Sequence, residues 1–179
     1  MKVATYTSWD SWVEFEREFN ERTGLNCCFI DKDGVRVTAY RKWASALCPA
    51  IRREGKGQQT ICDRLSDVLA DRVPQPESSM VVTNCRAGLL VLCIPFWHRG
   101  RFVGLVGGCG LLPREGSVNA LAVCDATGLG MKKILSLSQG IGRLLPKEVE
   151  LFGQYLRRRF EDLRRDMKPI KAKQGGNSS

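Results

Sequence analysis

Apolar residues near the start of the chain recur at the spacing of an amphipathic helix. Residues 10–23 place Trp12, Phe15 and Phe19 on one side and glutamates on the other. Gly24 follows directly and is a residue type that commonly ends helices. The pattern therefore predicts a first helix whose apolar side faces the core.

The middle of the chain is apolar on successive residues, which is typical of buried strands. Residues 88–97 and 101–108 show this pattern on either side of His98-Arg99-Gly100, so we expect them to pair as a hairpin. Shorter apolar runs predict three more strands, at residues 25–31, 35–40 and 80–83. Additional helices are expected at residues 44–54, 58–73, 117–126, 131–137 and 146–167.

These elements give five strands, with helices inserted between the second and the third. That order predicts an α+β fold with a five-stranded antiparallel sheet, inserted helices and a C-terminal helix. The length of 179 residues and a hydrophobic content of 43% suit one domain with a sizeable core. We expect this domain to span residues 1–167, and residues 168–179 to form a mobile basic and polar tail.

The first residues contain no apolar run after a basic patch, and no stretch reaches the ~18 apolar residues of a membrane span. We therefore expect a cytoplasmic protein without a membrane contact, in which thiols stay reduced. The eight cysteines are accordingly interpreted as core residues, metal ligands or reactive thiols, not as disulfides. The single histidine, His98, excludes a His-rich zinc centre. Because nothing positions a base beside a cysteine nucleophile, we predict no enzymatic activity.

Four of the cysteines are predicted to be packing residues. Cys27 and Cys28 are neighbours on a predicted strand, so their side chains point to opposite faces and can hardly share one site. Cys93 lies in the middle of a strand and Cys124 in the middle of a helix, both between apolar neighbours.

The other four cysteines each lie at a break or an end of a predicted element. They are Cys48, Cys62, Cys85 and Cys109. Cys48 precedes Pro49, and proline favours the first helical position, so we expect Cys48 to cap a helix whose dipole stabilises a thiolate. If the hairpin turns near Arg99, paired residue numbers sum to roughly 198, which places Cys109 opposite about residue 89 and close to Cys85.

The four cysteines are therefore predicted to converge on one site, and three interpretations of that site stay open. Reduced thiols in this arrangement could hold a zinc ion tetrahedrally or bind an iron–sulfur cluster. Alternatively, the thiols are structural and surround a pocket for an apolar small molecule. A redox-active disulfide is the third alternative.

A set of short motifs occurs along the chain in a characteristic order. It comprises Thr23-Gly24-Leu25, Asp31-Lys32-Asp33-Gly34, Cys48-Pro49-Ala50-Ile51-Arg52, Gly57-Gln58-Gln59-Thr60-Ile61-Cys62, Cys85-Arg86-Ala87-Gly88-Leu89, Ile94-Pro95 and Gly104-Leu105-Val106-Gly107-Gly108. Together these motifs resemble the PocR sensory domain, a PAS-like ligand-binding module of prokaryotic regulators and signalling proteins. The similarity extends over residues 12–163, nearly the whole chain.

The resemblance implies a PAS-like sheet with a pocket for small molecules such as simple hydrocarbon derivatives. The recurrent cysteines of the family fall on Cys48, Cys62 and Cys85. This chain has Arg86 where the family often has histidine, and Cys109 where the family often has a polar residue, commonly glutamine. The extra thiol favours a bound metal or cluster. Because family regulators usually carry an output domain, we expect this chain to be a stand-alone sensor or an adaptor that signals to a partner.

The predicted C-terminal helix combines an apolar seam with a basic cluster. The seam consists of Val149, Phe152, Leu156, Phe160, Leu163 and Met167. It either packs on its own domain or forms a homodimer or partner contact through the 146–167 helix. Arg157-Arg158-Arg159 and the net charge of +9 suit a nucleic-acid contact, but the interspersed carboxylates favour a solvated helix face.

Overall fold

The computed structural model describes residues 9–63, 80–98 and 100–166. Helix α1 (Trp9–Thr23) comes first and strand β1 (Asn26–Asp31) follows it. Within the described residues, the inserted helical segment comprises α2 (Leu47–Arg53), the single turn α3 (Gly55–Gly57) and the π-helical α4 (Gln58–Asp63). The remaining elements are β2 (Val81–Asn84), β3 (Leu90–His98), β4 (Arg101–Cys109), β5 (Leu112–Pro113), α5 (Ala120–Thr127), α6 (Met131–Ser138), β6 (Arg143–Leu144) and α7 (Pro146–Asp166).

Strands β1 to β4 form an antiparallel sheet in the order β1-β4-β3-β2. The hairpin of β3 and β4 lies at its centre, and Gly100 adopts a φ of 73° in the connecting turn. Side chains alternate between the two sides of the sheet. One side, here called the aromatic face, carries Cys27, Phe29, Leu92, Ile94, Phe96 and Val106. The other, here called the cysteine face, carries Cys28, Ile30, Val91, Cys93, Leu105 and Cys109.

Helices α1 and α7 cover the aromatic face and form the main core with it. The rings of Trp12 and Phe29 stack with their centroids 4.8 Å apart, and Phe96 meets Phe160 of α7 edge to face at 5.4 Å. Helix α1 approaches the sheet so closely that a Cβ atom on Gly108 would lie 2.9 Å from the Phe19 ring. This close packing buries apolar surface, which is the main source of stability in such a domain.

A second core lies beside the end of the sheet and is built mainly from helices. Its buried residues are Leu47, Ile51, Ile61, Ala87, Leu89, Leu112, Val123, Ala126, Ile134 and Ile141. Asn119 caps α5 by accepting the Ala122 N–H at 3.1 Å, and Gly128 ends that helix at a φ of 73°. The short parallel pair β5 and β6 joins this part of the chain and was not predicted from the sequence.

The predicted mixture of helices and antiparallel strands is confirmed, but the expected fifth strand is not present among the described residues. Residues 35–40 make only one bridge, between Ile30 and Arg36. Around this bridge the backbone does pair, since the Asp31 N–H donates to the Val35 carbonyl and the Val37 N–H donates to the Phe29 carbonyl, both at 2.9 Å. Side chains complete the outer edge of β1: the Phe29 N–H donates to Glu16 at 3.0 Å, and the Arg36 guanidinium donates to the Cys27 carbonyl. Thr38 turns inward to donate to Glu16 as well, so the chain leaves the sheet edge there.

Two other predicted segments lie partly or wholly outside the described residues. The helix expected at residues 58–73 begins as α4, and its part beyond residue 63 lies outside the described residues, as does the expected tail at 168–179. The seam of α7 packs on the domain's own core through Val149, Phe152, Leu156, Phe160 and Leu163. No helix in the described parts of the chain is long and apolar enough to cross a membrane.

Candidate functional site

A cavity lies between the cysteine face of the sheet and helices α2 and α4. Its volume is about 50 Å³, several times the ~10–15 Å³ that one water molecule needs. The described residues that line it are Asn26, Cys28, Ile30, Trp43, Cys48, Ile51, Arg52, Ile61, Cys62, Cys85, Ala87, Leu89, Val91, Cys109 and Gly110. Because these residues come from the sheet, its turns and the inserted helices, one small ligand would contact all of these elements.

All four cysteines that the sequence singled out line this one cavity. Cys48 belongs to α2 and Cys62 to α4. Cys85 lies in the turn between β2 and β3, where its carbonyl accepts the Gly88 N–H at 2.8 Å. Cys109 ends β4. The fold therefore brings together thiols that are far apart in the sequence.

The hairpin register differs slightly from the sequence-based estimate. Cys109 pairs with Val91 and, on its other side, with Asn26. We expected a partner near residue 89. The difference arises because the turn pairs His98 with Arg101 and because an irregularity between Phe96 and Trp97 shifts the register. Cys109 still reaches the same end of the hairpin as Cys85.

The predicted helix-capping role of Cys48 is wrong. Helix α2 starts at Leu47, two residues before Pro49, so Ala46 occupies the capping position. Cys48 is the second residue of the helix, and its sulfur lies 3.9 Å from the Ser45 hydroxyl. Burial raises the pKa of the Cys48 thiol to about 12. Cys48 is therefore a protonated thiol at neutral pH and not the stabilised thiolate we expected.

Burial also raises the pKa of the other cavity thiols. Removal from water raises the pKa of Cys62 to about 11, although the neighbouring Arg52 opposes this change. The pKa of Cys85 is raised for the same reason, and that of Cys109 is raised well above its ordinary value. In the structure as it stands, the cavity therefore presents neutral sulfur atoms and not reactive thiolates.

The side chains that line the cavity are of a type that binds metals, but their positions do not form a metal centre. Four cysteine thiols are a suitable ligand set for zinc or for an iron–sulfur cluster. However, across residues 9–63, 80–98 and 100–166 no three His, Cys, Asp or Glu side chains are close enough together to hold a metal ion. The sulfurs line the same cavity without forming a coordination site, and a metal would have to draw them together.

Arg52 is a cavity residue that the sequence analysis did not identify. It lies one turn after Cys48 on α2, at the i+4 spacing that places two side chains on one helix face. Its guanidinium stands 5.5 Å from the centre of the Trp43 ring, which also lines the cavity. The sequence does contain a signal for this placement. In the motif from Cys48 to Arg52 the first and last residues are four positions apart, which is about one helical turn, so both can face the cavity.

A buried polar network joins the cavity to helix α1. Asn26 lines the cavity, and its amide N–H lies 3.9 Å from the Cys109 sulfur. The Asn26 oxygen accepts from Arg36 at 3.5 Å, and Arg36 in turn lies 3.5 Å from Glu16 of α1. Desolvation raises the pKa of Glu16 even though Thr38 and Arg36 partly offset it. Through these contacts, polar groups extend from the cavity, past the edge of β1, to helix α1.

Cys28 also lines the cavity, although the sequence analysis assigned it to the core. Cys27 does lie in the main core, on the opposite face of the sheet, as the strand alternation predicts. A second cavity of about 40 Å³ continues along the cysteine face and shares Cys28, Ile30, Val91 and Cys109 with the first. Cys93 lines this second cavity, so the thiol-rich surface extends along β3.

Comparison with models of protein families gives a match over most of the chain. The family model described as the sensory domain found in PocR matches residues 8–158, which is most of the chain. No curated protein and no solved structure matches the chain. The matched range includes all four of the predicted cavity cysteines. The chain therefore belongs to the family of sensory domains found in PocR.

Proposed function

We propose that this protein is a non-enzymatic sensor that binds a small ligand in the cysteine-lined cavity and signals its occupancy to a partner. The observation that supports this most strongly is the composition of the cavity wall, which draws on β1, α2, α4, the β2–β3 turn and β4. A ligand there would favour one relative placement of these elements over another, and such differential binding is how a ligand shifts a conformational equilibrium. Membership of a sensory-domain family agrees with this role.

The chemistry of the cavity supports binding better than catalysis. Burial leaves the lining thiols protonated, so they are weak nucleophiles at neutral pH. Much of the wall is apolar, with Ile51, Ile61, Leu89 and Val91 among its residues. An apolar wall with a few polar groups is the usual lining of a small-molecule site.

The binding proposal is tested by thermal unfolding with 1,3-propanediol and related short metabolites. A ligand at 100 times its Kd stabilises the folded state by about 2.7 kcal/mol, so a bound probe raises the unfolding midpoint. The variant Ala87→Leu fills the cavity and should lose this response. Cys124→Ser, which alters a cysteine outside the lining, should keep it. A response that persists in a folded Ala87→Leu protein, or the failure of every probe, would contradict the proposal.

A metal or cluster in the same cavity is the second candidate, and it is favoured by the convergence of Cys48, Cys62, Cys85 and Cys109. Its test is the metal content and absorption spectrum of protein purified without oxygen. Stoichiometric zinc, or iron with a visible absorption band, should be lost in Cys48→Ser and Cys85→Ser and kept in Cys124→Ser. Colourless protein without stoichiometric metal would exclude this candidate in favour of the small ligand.

The partner surface is part of the proposal as well. The apolar seam of α7 is already occupied by the core, so a homodimer or partner contact through the 146–167 helix would have to use its outer side, where Leu151 is 51% exposed. Size-exclusion chromatography of wild type and Leu151→Glu tests for a dimer through this outer side, since the substitution should convert a dimer to a monomer.

Nucleic acid is the less favoured partner, because Arg159 pairs with Glu18 and Arg165 pairs with Asp162.

A further inference from the structure

The Arg52 guanidinium brings a positive charge into a mostly apolar cavity. Arg52 is half-buried, and its neighbours in the cavity wall include Trp43, Ile51 and Cys62. No carboxylate of the described residues lies within 4.0 Å of its guanidinium nitrogens, the distance that defines the ion pairs found elsewhere in the protein. Asp63 is near enough to raise the pKa of Arg52 through its charge, but it forms no ion pair with the guanidinium.

The surrounding thiols do not neutralise this charge at neutral pH. Burial by itself lowers the pKa of Arg52, but Cys62 and other nearby acidic groups raise it overall, so the guanidinium stays protonated. The Cys62 thiol is protonated too, since burial raises its pKa to about 11. The cavity therefore holds a cation among neutral sulfur atoms, and such an arrangement favours an anionic ligand.

Asn26 supplies a second donor at the cavity wall. Its side chain is 1% exposed, and its oxygen already accepts from Arg36 at 3.5 Å. Among the described residues, the hydrogen-bond partner of the amide nitrogen is the Cys109 sulfur, 3.9 Å away, which is a weak acceptor. A buried amide donor without a strong acceptor is costly unless a ligand or water completes it.

We infer that the ligand of this cavity is a short-chain carboxylate whose carboxyl group is held by Arg52 and Asn26 and whose alkyl part lies against the apolar wall. The inference rests on the proposed function, since it names the chemical class of ligand for the same site. Guanidinium groups pair with carboxylates through charge-assisted hydrogen bonds. The volume of about 50 Å³ limits the ligand to a few non-hydrogen atoms.

The experiment compares acetate, propionate and butyrate with their neutral amides and with 1,3-propanediol, by calorimetry at matched ionic strength. At least one carboxylate should bind the full-length protein at least about tenfold more tightly than its amide, because only the carboxylate forms charged hydrogen bonds with Arg52. Binding should also shift an arginine Nε–H signal in a proton–nitrogen spectrum. That signal is assigned to Arg52 if it is missing in Arg52→Lys.

The matched variants are Arg52→Gln and Arg53→Gln. Arg53 is the next residue of α2 and is exposed, so its loss controls for the reduction of net charge. The preference for carboxylate over amide should disappear in Arg52→Gln and persist in Arg53→Gln. If Arg52→Gln does not fold, the comparison of carboxylate with amide in the wild-type protein still decides the question.

The outcomes separate this inference from the proposed function. If an amide or the diol binds as tightly as every carboxylate, the charge preference is wrong and the cavity remains a small-molecule site. If a carboxylate binds preferentially but equally well to Arg52→Gln, the assignment of Arg52 is wrong. If no probe of any class binds, both the inference and the small-ligand proposal are wrong.

Discussion

The two faces of the same sheet differ in what packs against them. The aromatic face meets α1 and α7 through large rings, among them Trp12, Phe29 and Phe160, with little space between them. The cysteine face carries smaller side chains and borders two cavities of about 50 and 40 Å³. Both faces belong to the same strands, so the difference comes from side-chain size and from the elements that cover each face.

This difference suggests a division of roles between stability and ligand binding. A closely packed face stabilises the fold but leaves no room for a ligand. A face with cavities contributes fewer contacts, and its surroundings can adjust when a ligand fills the space. A sensor needs both properties, and here alternation along β3 and β4 supplies them on opposite sides of a single layer.

The largest expected effect comes from truncating matched leucines on the two faces. Leu92 lies fully buried on the aromatic face, and Leu105 lies 4% exposed beside the second cavity on the cysteine face. Leu92→Ala should lower the free energy of unfolding by about 4 kcal/mol, near the upper part of the range for buried leucines. Leu105→Ala should cost only about 2 kcal/mol, because the void beside it already removes some of its contacts. Urea unfolding of both variants measures the difference.

Equal costs at the two positions would show that both faces contribute equally to stability, and the suggested division of roles between them would then be wrong. The conservative variants Leu92→Met and Leu105→Met serve as controls, since they keep most of the volume and should each cost less than about 1.5 kcal/mol.

Much of the fold could be predicted from hydrophobic patterning because its elements are long and strongly periodic. The seam of α7 and the apolar run of β3 and β4 are examples. The fifth strand could not be excluded in this way, because residues 35–40 are as strand-like as their neighbours. Backbone pairing with β1 does begin at Val35 and Val37, but it ends at Thr38, whose hydroxyl turns inward to donate to Glu16.

The site was predicted in part, and the limits have a physical reason. Cys48, Cys62, Cys85 and Cys109 could be selected because each lies at the break or end of an element, where loops and caps form sites. Their protonation state could not be predicted, because burial determines it and burial depends on tertiary packing. Arg52 was overlooked because an arginine on a short helix is usually solvated, and only the fold shows that it faces the cavity.

A smaller effect is expected at Glu16, where the polar network crosses the edge between the two faces. Desolvation raises the pKa of Glu16 above its unfolded value. The folded state therefore binds the proton more tightly, so the stability contributed by protonated Glu16 is full below about pH 4.5 and is lost as the pH rises through the raised pKa. Glu16→Gln should abolish this loss, on the order of 1 kcal/mol, in urea unfolding measured from pH 4.5 to 7.5.

Whether the stability contributed by Glu16 rises or falls with pH shows which interaction holds helix α1 to the edge of the sheet. If the stability contributed by Glu16 rises with pH, the ion pair with Arg36 outweighs desolvation, and charge pairing links the two faces. If it falls, as we expect, the hydrogen bonds to Phe29 and Thr38 provide the link and a neutral side chain can replace the carboxylate. Thr38→Val, which removes one of these bonds, should then destabilise both wild type and Glu16→Gln.

The smallest effect is expected at Glu18, which lies on the same helix but faces α7. Its carboxylate accepts from Tyr155 at 2.6 Å and pairs with Arg159 at 2.6 Å, and the hydrogen bond from Arg159 is the main reason that the pKa of Glu18 is lowered. A lowered pKa contributes stability above about pH 4.5 that is lost as the pH falls through the folded value, opposite to Glu16. Because Glu18 is 43% exposed, Glu18→Gln should cost only about 0.5 kcal/mol at pH 7 and almost nothing at pH 3.

The exposed Glu14 on the same helix provides the control, because Glu14→Gln removes an equal charge without removing this contact. A cost at Glu18 as large as that at Leu92 would mean that an ion pair between α1 and α7, and not the burial of aromatic rings, holds the packed face together. Charge pairing, and not apolar packing, would then distinguish the aromatic face from the cysteine face. A cost of a few tenths of a kcal/mol would instead show that the aromatic face owes its stability to the apolar packing that the cysteine face lacks.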